Sequence, residues 1–354
     1  MKPDPDILFE RRGGAGIVTL NRPRALNAVT QGMVRALAAM LEEWRLDPAV
    51  TRIVVTAAGD RAFCAGGDIR ALYELGMAGR REEALAFWRD EYRLNTVIKN
   101  YPKPYIALID GMVMGGGVGV SVHGSHRIAG ERYRFAMPEV GIGFFPDVGA
   151  TFILSRLPGE IGTYLALTGE RLAATDAVAV GLATHRAASG QFPSLLEALG
   201  ENAPLDVVLD EFAVAPEEDA PLMGRRATID RSFADDRVEE IIAALEREAG
   251  SASADARWAA ATAATMRTKS PTSLKLALAQ MRRGRGLAFE DCMRTEFRIV
   301  SRIVHGHDFY EGVRAIIIDK DNAPHWRPAD LAAVTDAEIE RHFAPLGDAE
   351  LRLP

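Results

Sequence analysis

Gly115-Gly116-Gly117-Val118-Gly119, then Phe135-Ala136-Met137-Pro138-Glu139, then Phe144-Phe145-Pro146-Asp147-Val148-Gly149: one stretch of chain carries a glycine cluster and two isolated acids. Consecutive glycines let a backbone approach a ligand closely and present N–H groups without side-chain cover. Carboxylates set in apolar sequence are equipment for acid, base or nucleophile work. Glu139 lies between Met137-Pro138 and Val140-Gly141-Ile142, where burial would raise its pKa. Asp147 follows a proline and reads first as a turn aspartate.

Upstream, Phe63-Cys64-Ala65-Gly66-Gly67-Asp68-Ile69 forms a small-residue loop running into a helix. Such a loop can turn the Gly67 N–H into a cleft, and Gly116 can do the same at the next glycine turn. Two donors converging on one oxygen make an oxyanion hole, a device worth about 3–4 kcal/mol per donor at a transition state. The same glycines serve tight turns or close helix packing equally well. Glu91, beside Arg89, Asp90 and Arg93, reads as a polar position on a charged helix face.

Other chemistries fit less well. The glycine cluster has no G-x-G-x-x-G with an acidic ribose partner and no Lys-Ser or Lys-Thr after it, so the dinucleotide and P-loop patterns both fail. His123 and His126, and His305 and His307, lack a third ligand at metal-site spacing. Ser121 lacks a nucleophile elbow. Nothing in the sequence makes Cys64 a thiolate.

Outward from this stretch the pattern alternates strand and helix. Ile7–Arg11 and Ile17–Leu20 flank Gly13-Gly14-Ala15-Gly16 as a hairpin. Met33, Val34, Leu37, Met40, Leu41 and Trp44 recur at helical spacing from Thr30 to Leu46. Strands are predicted at Thr51–Ala57, Tyr105–Ile109, Arg127–Ala129 and Tyr133–Ala136. Helices are predicted near Arg70–Leu75, over Arg81–Asn100, and from the glycine cluster to about Ser125. This β-α-β-α order predicts right-handed crossovers and a layered α/β core. A helix ends at Gly169 and another runs over Thr175–Val180. Residues 191–245 alternate helical patches with breaks such as Ala215-Pro216-Glu217-Glu218. Trp258–Val304 reads as helical, with Pro271 in a first turn after Ser270. The expected organisation is a core over residues 1–200 and a mainly helical region over 201–354.

The 354 residues suffice for a large buried core, and 48% hydrophobic with 26% charged residues is ordinary for a globular protein. A net charge of -7 argues against nucleic acid as the main partner. Two cysteines build neither a disulfide framework nor a zinc site. Met1-Lys2-Pro3-Asp4-Pro5-Asp6 has the character of neither a signal nor a transit peptide, and no apolar run approaches the roughly 18 residues of a membrane span. The expectation from these features is a cytoplasmic protein without membrane partners.

As an ordered set, Ala65-Gly66-Gly67-Asp68-Ile69, Gly115-Gly116-Gly117 and Met137-Pro138-Glu139 resemble the crotonase (enoyl-CoA hydratase/isomerase) superfamily. That resemblance implies a spiral of ββα units with a helical C-terminal region and an acyl-CoA substrate. It puts the thioester oxygen between the N–H groups of Gly67 and Gly116. Hydratases of the superfamily carry a glutamate two positions after the third glycine; here that position is Gly119. The stretches 115–124, 135–139, 145–149, Asp90-Glu91-Tyr92 and His305–Ala315 look instead like its 3-hydroxyisobutyryl-CoA hydrolase branch. The resemblance then implies Glu139 and Asp147 as catalytic carboxylates and Gly116 and Gly67 as oxyanion donors. It assigns Glu91, Ala65, Asp68 and Ile69 to substrate binding. The implied activity is hydrolysis of a short 3-hydroxyacyl-CoA thioester. No metal or separate cofactor is expected, CoA being part of the substrate. Lys320 is a candidate for a CoA phosphate. Trimers and hexamers are common in the superfamily, which makes a homo-oligomer one expectation.

Overall fold

In the computed structural model, residues 5–201, 203–215 and 220–354 are described. The acidic start Met1–Asp4 and the break Pro216–Glu218 lie outside them.

Among the described residues, ten strands form two sheets. They are β1 (Ile7–Arg12), β2 (Ala15–Leu20), β3 (Arg52–Ala57), β4 (Ala62–Cys64), β5 (Tyr105–Ile109), β6 (Met112–Met114), β7 (His126–Ala129), β8 (Arg134–Ala136), β9 (Leu172–Ala173) and β10 (His185–Arg186). One sheet has the order β1-β2-β3-β5-β7-β10 and the other β4-β6-β8-β9. From β3 to β8 successive strands alternate between the sheets, so the chain climbs as a spiral. Neighbours along the climb are parallel: β2 with β3, β3 with β5, β5 with β7, β4 with β6 and β6 with β8. Among the described residues, only the opening hairpin β1-β2 and the pair β8-β9 are antiparallel.

The continuous apolar run of β5 follows from burial on both faces. Ala107 and Ile109 enter the main core, whereas Ile106 and Leu108 pack with Leu195, Leu199, Val208 and Leu209. Those four side chains come from the helices Phe192–Gly200 and Leu205–Phe212, which therefore close the outer face of the larger sheet.

The helix Gln31–Leu46 starts where Thr30 accepts a hydrogen bond from the Met33 N–H, and it buries Met33, Val34, Leu37, Leu41 and Trp44. Two expectations change. The helix after the glycine cluster is only Gly116–Gly119. Glycine propagates a helix poorly, and the chain continues in turns to Gly124. The helical reading of Trp258–Val304 resolves into Ala256–Arg267, Pro271–Gly284 and Phe289–Ile303. Pro271 does open its helix, with Ser270 accepting from the Ser273 N–H.

No described strand follows β10, and the elements beyond it are helical. These later helices fold back over the spiral. The helix Asp308–Val313 packs against the turn Glu139–Ile142. Gly143 lies against the Asp308 carbonyl and Gly312 against the Ile142 backbone, leaving no room for a side chain at either glycine. Ser270 donates to Asp308 Oδ2 at 2.6 Å and its N–H reaches the Val140 carbonyl at 3.3 Å. The His305–Ala315 stretch thus buttresses the Glu139 turn from behind.

Candidate active site

Val29 bridges Gly67 in parallel fashion: its N–H donates to the Gly66 carbonyl and its carbonyl accepts from the Asp68 N–H. That pattern leaves the Gly67 N–H on the opposite side of the loop, facing Gly116. Gly116 is the first residue of its short helix, where an N–H has no intrahelical acceptor. A Cβ at Gly116 would stand 3.1 Å from Gly67 N and 2.6 Å from Glu91 Oε1. Two amide donors and a carboxylate therefore meet at a place that only glycine leaves open. Gly66 (φ 118°) and Gly115 (φ 43°) supply the backbone conformations that the two loops need.

Four carboxyl groups are buried here. Glu139 heads the turn that follows β8, and a Cβ at Gly115 would be 3.2 Å from its Oε1. Burial, then the charge of Asp147, holds its carboxyl well above the usual range. Asp147 accepts a hydrogen bond from the Tyr92 hydroxyl at 2.8 Å. Burial pushes its pKa to about 7 against the lowering effect of that bond. Glu91 sits inside on the helix Arg81–Lys99, 2% exposed, raised by burial and then by Asp147 and Glu296. Glu296, on Phe289–Ile303, is pushed up to about 8, chiefly by burial. Among the described residues, Glu91 Oε1 and Glu139 Oε2 have no hydrogen-bond partner. Buried polar atoms are ordinarily paired, so both oxygens are free for a substrate.

The cavity of about 370 Å³ brings together Ala65, Gly67, Ile69, Glu91, Gly116, Glu139 and Asp147. Trp88 and Phe144 stack at 5.6 Å between ring centres as one wall. Asp68 is the correction. It does not line the cavity; its Oδ2 pairs with Arg22 at 3.1 Å and its Oδ1 caps the helix Ile69–Met77. Ala65, Gly67 and Ile69 face the cavity, while the intervening acid turns outward to satisfy the helix start. Glu91 departs from the surface reading, because its helix packs its Glu91-Tyr92-Asn95 side inward.

Arg171, Lys269, Ile316 and Ile317 also line the cavity and escaped the sequence reading. They arrive from distant parts of the chain, and no local pattern marks them. Arg171 is exposed and Lys269 half-buried, so the cations nearest the cavity are these and not Lys320. Cys64 donates to the Gly66 carbonyl at 3.4 Å, and burial raises its thiol to about 12. It is a packed thiol. His123 packs on Phe289, its Nε2 2.6 Å from the Val148 carbonyl. Among the described residues no group of three His, Cys, Asp or Glu side chains could hold a metal ion, and no helix is long and apolar enough to cross a membrane.

Gly119 marks the point of departure from the hydratase pattern. A Cβ there would lie 2.7 Å from Asn95 Nδ2 and 2.8 Å from Val148 Cβ. The space a second glutamate would need is filled by Asn95, itself fully buried, and by the turn after Asp147.

The sequence matches the enoyl-CoA hydratase/isomerase family over residues 15–343. The chain belongs to that family. It is 43% identical to the mitochondrial 3-hydroxyisobutyryl-CoA hydrolase of Danio rerio, over 99% of this chain and 93% of that protein. The Homo sapiens protein of the same name is 41% identical, over 98% and 90%. Among solved structures, a carnitinyl-CoA dehydratase from Mycobacterium thermoresistibile superposes with a TM-score of 0.92 at 42% identity, covering 99% of each chain. An enoyl-CoA hydratase from Rhodobacter sphaeroides 2.4.1 gives 0.89 at 40% identity, over 99% of this chain and 100% of that one. The crotonase-like fold that the resemblance implied is therefore the fold observed. The cytoplasmic expectation is overturned, since these curated relatives carry mitochondrial in their names. Composition and free cysteines suit one reducing compartment as well as another, so they do not discriminate.

Proposed function

We propose that this protein hydrolyses a short 3-hydroxyacyl-CoA thioester, 3-hydroxyisobutyryl-CoA foremost, releasing CoA and the 3-hydroxy acid as a step of valine breakdown. The observation that carries the reading is the cavity where the Gly67 and Gly116 amides meet Glu139 and Asp147 while Gly119 leaves no place for a second hydratase glutamate. The names of the relatives that match across the whole chain support it.

The thioester oxygen lies on the Gly67 and Gly116 N–H groups, which stabilise the charge it gains as the carbonyl is attacked. Glu139 delivers that attack, itself or through a water it deprotonates. Its burial makes the ionised carboxylate strongly basic. In the water route the C–O bond to water forms, the C–S bond breaks, and the proton Glu139 took from the water passes to the sulfur, which leaves as the thiol of CoA. In the direct route the C–S bond breaks as a Glu139 anhydride forms. Water then cleaves that anhydride, releasing the acid, regenerating the carboxylate and supplying the proton of the CoA thiol. Asp147 and Glu91 hydrogen-bond the 3-hydroxyl and fix the acyl group. A site with such buried polar partners rejects an acyl chain that lacks the hydroxyl. Arg171 and Lys269 receive the anionic part of CoA. No metal or separate cofactor enters the scheme.

A second reading, hydration of an enoyl-CoA, takes its support from the names of the two solved relatives, a carnitinyl-CoA dehydratase and an enoyl-CoA hydratase. The crowding at Gly119 weighs against it. Replacing Glu139 with Gln separates catalysis from binding: turnover is lost while CoA-ester affinity is retained. Near-normal hydrolysis by this variant would overturn the assignment.

A further inference from the structure

The turn that carries Asp147 is held in an unfavourable shape. Val148 has φ 52° and Gly149 φ 90°, and a left-handed conformation is uncommon for a β-branched residue. Something must fix it. Glu296 Oε2 accepts from the Gly149 N–H at 2.8 Å and its Oε1 from the Thr151 N–H at 2.9 Å. The side chain is fully buried, does not line the cavity, and comes from the helix Phe289–Ile303, far along the chain. Gln280 adds a second clasp from Pro271–Gly284, its Nε2 donating to the Pro146 carbonyl and to Thr151 Oγ1, both at 2.5 Å.

We propose that Glu296 is a positioning residue for hydrolysis: it grips the Gly149 and Thr151 amides in the turn after Asp147 and so sets the place of that carboxyl. The inference rests on the reading that Asp147 orients the substrate. Each oxygen of the Glu296 carboxyl accepts from one of these two N–H donors. A glutamine in its place presents an amide NH₂ to one of them, leaving a buried donor facing a donor. The titratable groups facing this pair are Glu91 and Tyr92 from Arg81–Lys99, Glu139 from its turn, and Cys292 on the helix of Glu296.

The test compares Glu296→Gln, Glu296→Asp and Asp147→Asn in steady-state thioester hydrolysis across pH. Glu296→Gln is expected to lower kcat about 10- to 100-fold with KM within about threefold. Amide hydrogen exchange at Gly149 and Thr151 speeds up. Glu296→Asp keeps the carboxyl one methylene short, so it restores part of the kcat and part of the amide protection lost in the glutamine form. This variant serves if the glutamine form does not fold. Wild-type kcat and wild-type exchange at Gly149 and Thr151 in either folded variant overturn the proposal. If Asp147→Asn hydrolyses normally, the reading of Asp147 fails first. If it is inactive while the Glu296 variants are normal, the proposal alone fails.

Discussion

The Tyr92 hydroxyl donates to Asp147 Oδ2 at 2.8 Å in a fully buried setting, joining the Arg81–Lys99 helix to the turn after Pro146. This bond stabilises the ionised form of Asp147 and opposes the burial that raises it. Tyr92→Phe removes the donor, so the Asp147 pKa rises above its value of about 7. The expected result is a pH limb of kcat shifted upward and a kcat lowered about tenfold, in keeping with roughly 1.5–3 kcal/mol for a hydrogen bond to a charged group. A pH–rate profile of the variant reads both.

The two amide donors leave no space for a methyl group. A Cβ at Gly116 would approach Glu91 Oε1 to 2.6 Å and Gly67 N to 3.1 Å. Gly116→Ala therefore occupies the place of the thioester oxygen, and kcat for hydrolysis should fall about 100-fold. Single-turnover kinetics would show the loss in the chemical step.

Restoring the hydratase glutamate should fail. At Gly119 any side chain meets Asn95 and Val148, and overpacking a core costs about 1–3 kcal/mol. Gly119→Glu is expected to lower the thermal midpoint by several degrees and to gain no enoyl hydration. A variant that hydrates crotonyl-CoA with an unchanged midpoint would contradict the packing argument.

Stability should depend on pH through the buried acids. Asp147 and Glu296 have folded pKa values of about 7 and about 8, against about 4 in an unfolded chain. The folded state holds more protons between these limits, so stability falls with rising pH there. The contribution is fully present below about pH 4 and is lost as pH rises through about 7 to 8. Glu311 acts oppositely: its bond to Arg314 holds it at about 2, and its contribution disappears as pH falls from about 4 through 2. The thermal midpoint should be higher near pH 5.5 than near pH 8.5, and Asp147→Asn should flatten that slope. Calorimetry at the two pH values decides it.

The alternation of strand and helix was legible because it is written locally, whereas the spiral itself came only from the resemblance to the superfamily. The apolar run at Tyr105–Ile109, the spacing from Met33 to Trp44 and the glycine turns each report the backbone of their own segment. Glu139 stood out for its apolar setting. Glu91 did not: Arg89, Asp90 and Arg93 disguise a helix whose opposite side enters the site. Asp68 misled for the converse reason, since its place in a glycine loop hid its work as a helix cap. Glu296, Lys269 and Ile316 reach the site only through contacts between remote segments, and a pairing across 147 positions, as between Gly149 and Glu296, leaves no periodic trace.

The central claim is that this family member cleaves a thioester and does not add water to a double bond. The most direct test follows free CoA thiol and enoyl absorbance in parallel, over 3-hydroxyisobutyryl-CoA, 3-hydroxypropionyl-CoA, isobutyryl-CoA and crotonyl-CoA. The account predicts thiol release from the 3-hydroxyacyl esters, at least tenfold slower release from isobutyryl-CoA, and no absorbance change with crotonyl-CoA. Hydration of crotonyl-CoA without thiol release from any ester would contradict it.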